Sequence, residues 1–150
     1  MCRRWTEKIG FVAVGTRMIP AREKRKKQAK PRFRADIPVV FAAMSKRSFC
    51  YRMFITRYIL EAKRIPLTVF TLYDYFLLDT VDRKFMIEAN NVLVARSNEL
   101  WVFGPVSEGV AKEICVAESL GKPIRYFAIK KPHRLVEISK SQVQYERGVE

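Results

Sequence analysis

Between Asn98 and Phe127 the chain reads NELWVFGPVSEGVAKEICVAESLGKPIRYF, a stretch that admits few folds. Leu100 to Phe103 is a short apolar run that stops at Gly104 and Pro105, the pattern of a buried strand entering a turn. Ser107 stands where a helix N-cap would accept a backbone N–H, and Glu108 places an acid in the first turn, where the helix dipole favours it. Gly121 suits the position just past a helix end, Pro123 blocks continuation, and Ile124 to Ile129 reads as another strand. Strand, helix and strand joined this tightly form a right-handed parallel crossover. The turn from Gly104 to Gly109 therefore lies at the carboxyl edge of a sheet, where ligands bind in open α/β folds.

At about 100° per residue, Val110, Ile114, Ala117 and Leu120 fall on one arc of the helix, the arc that faces the sheet. Glu113 lies inside it. A carboxylate turned toward an apolar layer loses hydration at a cost of several kcal/mol unless it is paired, protonated or beside a cavity. Glu113 is thus either a rim residue, its stem on the apolar face and its head reaching water or an arginine, or a pocket carboxylate.

The rest of the chain supplies partners for this unit. Ile37 to Met44 is a continuous apolar run with β-branched residues, as in a central strand covered on both faces. Ser45, Lys46, Arg47 and Ser48 follow it as a polar link, read either as a capped, solvated turn or as an anion site with Ser45 and Arg47 as ligands. Phe49 to Lys63 predicts a helix with Cys50, Tyr51, Phe54, Ile55, Tyr58 and Ala62 inward, and Ile65 to Phe70 a second strand with Pro66 near its start. Tyr73 and Asp74 then sit among aromatics at a strand's carboxyl end. The aromatics are either core or a stacking platform for a base, and Asp74 is a second candidate carboxylate that could act as general acid beside Glu113. Thr80 to Arg96 predicts a third helix with Val81, Phe85, Ala89, Val92 and Leu93 inward. Arg83 is an anion ligand if that helix begins at the site, and Asn90 and Asn91 sit mid-helix against propensity. Arg134 to Tyr145 reads as a strap or edge strand.

Together these elements predict a three-layer Rossmann-like (flavodoxin-like) α/β domain over residues 35–130, with a mainly parallel sheet of four or five strands and a C-terminal strap over residues 131–150. Residues 1–34 hold 12 Lys or Arg against two acids, most of the net +14 of the 150-residue chain, and the run from Ala21 to Arg34 has no helical stripe. It reads either as an extension unrelated to the domain's activity or as an arm binding nucleic acid weakly through phosphates. No apolar run reaches the roughly 18 residues that span a bilayer, and the N-terminus has no signal-peptide core, so a cytoplasmic protein without membrane attachment is expected. Cys2, Cys50 and Cys115 share no C-x-x-C spacing, and His133 is the only histidine. No metal site is expected, and no Gly-x-Gly-x-x-Gly or Walker pattern calls for a dinucleotide or P-loop cofactor.

The run Gly109 to Pro123, G-V-A-K-E-I-C-V-A-E-S-L-G-K-P, resembles the nucleoside 2-deoxyribosyltransferase-like superfamily, whose helix after a central strand follows G-T-x-x-E-x-x-x-A-x-x-x-G-K-P. Gly109, Glu113, Ala117, Gly121, Lys122 and Pro123 fit without a gap. Through ELWVFG, SEG and GKPIRYF the chain is also similar to small uncharacterised microbial and phage members. The resemblance implies that Glu113 is a nucleophile attacking a sugar's anomeric carbon, that the ligand is a nucleoside or nucleotide, and that the protein is a homo-oligomer. The turn at the sheet's carboxyl edge places Gly104, Ser107, Glu108 and Gly109 at the substrate. Two departures stand out. Ser107 occupies the place of a family aspartate, whose charge a serine lacks, and Val39, Phe41 and Ala42 replace a tyrosine-containing first strand. The functions expected are N-glycosidic transfer or hydrolysis or, from a different class, binding of a nucleotide signal without catalysis, which Ser107 favours.

Overall fold

A computed structural model of the chain describes residues 36–73, 80–130 and 134–149. Five strands, β1 (Val39–Met44), β2 (Ile65–Leu67), β3 (Glu99–Phe103), β4 (Ile124–Lys130) and β5 (Arg134–Ile138), form one sheet in the order β2-β1-β3-β4-β5. The first four are parallel and β5 pairs antiparallel with β4. Helices α1 (Arg52–Glu61), α2 (Val69–Leu72), α3 (Arg83–Arg96) and α4 (Glu108–Ser119) connect them. The chain steps one way from β1 to β2 and the other way from β2 to β3 and β3 to β4. Right-handed crossovers therefore put α1 on one face and α3 with α4 on the other, giving the three-layer Rossmann-like architecture.

The apolar runs account for the middle layer. β1 and β3 are central, and Val40 to Met44 and Leu100 to Phe103 are buried on both faces, as continuous β-branched and aromatic runs require. On the α1 face, Tyr58 meets Phe127 edge to face at 5.5 Å, and Phe103 stacks on Phe127 at 4.9 Å. Arg125 closes this aromatic layer, its guanidinium 4.4 Å from the Trp101 ring centroid and bonded in a fork to Glu137 on β5.

Three sequence expectations need correction. The second strand stops at Leu67 instead of Phe70, because the Thr68 carbonyl accepts from Thr71 and Leu72 and turns the chain into α2. The first helix begins as a 3-10 turn, Lys46–Tyr51, capped by Ser45, and α1 starts only at Arg52. Its inward residues are Ile55, Tyr58 and Ile59, with Cys50, Phe54 and Ala62 exposed. The third helix starts at Arg83, capped by Asp82, which leaves Val81 before the helix at the cavity mouth, and is turned so that Phe85 and Val92 face out while Val94 is buried. In both helices apolar residues surround most of the circumference, so periodicity marked a stripe without fixing which neighbour it met.

Beyond β5, Val106 and Tyr145 form an isolated parallel bridge, in which the Val106 N–H donates to the Gln144 carbonyl and the Glu146 N–H to the Val106 carbonyl. The Glu146 carboxylate accepts from Ser45 Oγ at 2.5 Å. The strap thus ties the carboxyl ends of β1 and β3 together. Among the described residues, no helix is long and apolar enough to cross a membrane.

Candidate functional site

Met44 and Phe103 end β1 and β3 in register, at the point where the strand order reverses. Beside them, on the α3 and α4 face, lies a cavity of about 560 Å³ bounded by Met44, Phe70, Arg83, Asn90, Val110 and Glu113. Size and position both match a small-molecule site in an open α/β sheet.

Helix α4 sets its geometry. Gly104 leaves β3 with φ +75°, a backbone turn disfavoured for side-chain-bearing residues. Ser107 then caps the helix, its Oγ accepting from Val110 N at 3.4 Å. From this start the second turn brings Glu113 over the cavity floor, between Val110 and Ala117, with only 7% of its surface exposed. Glu113 is therefore the pocket carboxylate, and among the described residues it forms no ion pair. Burial pushes its carboxyl up to about 8, and the amide of Asn90 offsets part of that rise by donating toward it. The contact is long, 3.5 Å from Asn90 Nδ2 to Glu113 Oε1. Burial thus favours the acid form of this carboxyl.

Ser107, Glu108 and Gly109 line the cavity, and Arg83 at the start of α3 joins them. Glu108 is held below the ordinary carboxylate range by the hydrogen bond from Lys112 at 2.7 Å, with further attraction from Lys112 and Arg83. Ser45 and Arg47 lie elsewhere. Ser45 Oγ accepts from Arg47 N and donates to Glu146, and Arg47 Nε stands 3.9 Å from the same carboxylate. The chain's own Glu146 occupies the anion position proposed for that link, and Lys46 is the residue of the link that reaches the cavity. Gly104 sits behind the site, where an added Cβ would come 3.1 Å from Ile129 and Ser48. Tyr73 caps α2 and packs on the core. Asp74, His133 and residues 1–34 lie outside the described residues.

Asn90 and Asn91 are the site residues that periodicity did not assign. Both line the cavity wall opposite α4. Their signal was present: two poor helix formers in mid-helix, Asn90 four residues from Met86 and from Val94, on the arc the helix turns inward. Among the described residues no three His, Cys, Asp or Glu side chains gather into a group that could hold a metal.

Fold and site together define a Rossmann-like domain with a switch-point cavity and one buried carboxyl on the helix after its central strand. The family model described as a domain of unknown function (DUF7768) matches residues 37–127. The chain belongs to that family, and the match spans β1 through most of β4 with the whole cavity. No curated protein and no solved structure gives a significant match to the chain.

Proposed function

We propose that the cavity takes a nucleoside or nucleotide and that Glu113 carries out N-glycosidic chemistry on it, as a deoxyribosyltransferase or N-glycosidase. The observation that carries this reading is the Glu113 carboxyl, nine-tenths buried on the floor of a cavity large enough for such a ligand. The motif resemblance from Gly109 to Pro123 supplies the reaction class. In its ionised form Glu113 attacks the anomeric carbon, and the electrons of the breaking C–N bond leave with the base, which takes up a proton. Water or a second base then displaces the carboxylate from the sugar. A homo-oligomeric, cytoplasmic protein belongs to the same proposal.

The nucleophile must be ionised, whereas burial pushes Glu113 up to about 8. Below that pH, kcat/KM falls about tenfold per pH unit. Incubation with nucleosides and nucleoside monophosphates, with free base followed by chromatography, tests the reading. Base release abolished by Glu113→Gln supports it. No release from any of these compounds, alongside measurable binding of one, leaves a nucleotide-signal binding protein. That second reading is favoured by the state of the neighbours: the Ser107 hydroxyl is engaged in capping and the Glu108 carboxylate in its ion pair with Lys112.

A further inference from the structure

The side chain facing Glu113 is itself incompletely bonded. Asn90 Nδ2 points at Glu113 Oε1, while Asn90 Oδ1 is buried and has no partner. A buried amide oxygen without a donor costs about 1–3 kcal/mol, and the site of this one leaves it no access to solvent or to a ligand in the cavity. Its donor must therefore come from the protein. A carboxylate only accepts, but a carboxylic acid carries one O–H donor beside its carbonyl acceptor. An acid and a primary amide facing each other can close a ring of two hydrogen bonds, which supplies the donor that Oδ1 lacks.

We propose that Glu113 and Asn90 form a cyclic acid–amide pair: Asn90 Nδ2 donates to the carbonyl oxygen of Glu113, and the Glu113 O–H donates to Asn90 Oδ1. Asn90 is then a positioning residue that orients the carboxyl on the cavity floor, while burial favours its acid form. The surroundings agree with this. The charged groups around the cavity are Glu108 and Lys112 on α4, Arg83 on α3 and Lys46 after β1. Lys112 is spent on Glu108, and among the described residues none of these cations bonds Glu113. Ionisation therefore removes one of the two ring bonds and sets a negative charge beside the Asn90 carbonyl. A ligand that uses the carboxylate must bring donors or positive charge of its own to replace what Asn90 gives the acid. The pair shares its cavity with the glycosidic reading but not its chemistry.

Infrared difference spectra of the full chain between pH 6 and pH 9.5 test the pair without any substrate, so their outcome is separate from that of the base-release assay. The unaltered protein should show a carboxylic acid carbonyl band at pH 6 that Glu113→Gln removes, and Asn90→Leu should move that band to higher frequency by freeing the carbonyl. A band unmoved in Asn90→Leu, or no acid band at pH 6, overturns the proposal. Should Asn90→Leu fail to fold, carbon-13 resonances of the unaltered protein decide. Asn90 Cγ should shift with the same midpoint as Glu113 Cδ, in the direction of a lost hydrogen bond as pH rises. An Asn90 Cγ that stays still or moves the other way refutes the pair.

Discussion

Replacing Glu113 by Gln keeps the side chain's shape and removes its charge, so the pH dependence of the substitution isolates the cost of ionising this carboxyl inside the domain. Glu113 rises from an ordinary 4.5 to about 8 on folding. Between those values the folded chain binds more protons than the unfolded one, so the carboxyl's contribution to stability falls as pH rises and levels off above about 8. At 1.36 kcal/mol per pH unit the loss between pH 5 and pH 9 is ~4 kcal/mol, a large share of the 5–15 kcal/mol typical of a domain. Urea unfolding of both proteins at a series of pH values reads it. The stability of Glu113→Gln relative to the unaltered protein should be near level at pH 5 and ~4 kcal/mol higher at pH 9, other titrations cancelling in the difference. A difference flat across that range would mean that Glu113 is solvated in the folded protein, and the inward-facing carboxyl would have to be abandoned.

Gly104→Ala places a Cβ at φ +75° and 3.1 Å from Ile129 and Ser48, and should lower the urea midpoint by the equivalent of about 1–3 kcal/mol. Ser107→Ala removes the cap of α4 and should cost ~1 kcal/mol, measurable in the same assay. Ser45→Ala and Glu146→Ala should each destabilise the protein by roughly 1–2 kcal/mol. Combined in one chain, they should cost less than the sum, because each already breaks the same bond; additive effects would separate the two residues.

Legibility in the sequence followed the strength of local punctuation. Around α4, a capping serine, a glycine just past the helix end and a following proline bracket the helix, so its limits and the inward turn of Glu113 could be read directly, and the parallel sheet followed from the same unit. In α1 and α3 the apolar residues cover too much of the circumference. Phe54 and Phe85 looked like core anchors yet face outward, since the choice among stripes is made by packing against strands distant in sequence. Leu120 failed for a related reason, lying where α4 has already left the sheet. Asn90 escaped because two amides in mid-helix flag an anomaly against propensity without saying what they face; only the juxtaposition of α3 with α4 gives Asn90 a role. Ser45 and Arg47 were placed at the right edge of the sheet, but their partner, Glu146, arrives from 101 residues further along the chain.

The pairing of β5 along Tyr126–Lys130 has a practical consequence, because the family match ends at Phe127. A fragment cut there would lose the last three residues of β4 and all of β5, leaving the shortened β4 as a bare edge beside apolar side chains, an invitation to associate strand to strand with other molecules. The smallest autonomous folding piece should therefore extend past the recognised domain into the C-terminal residues.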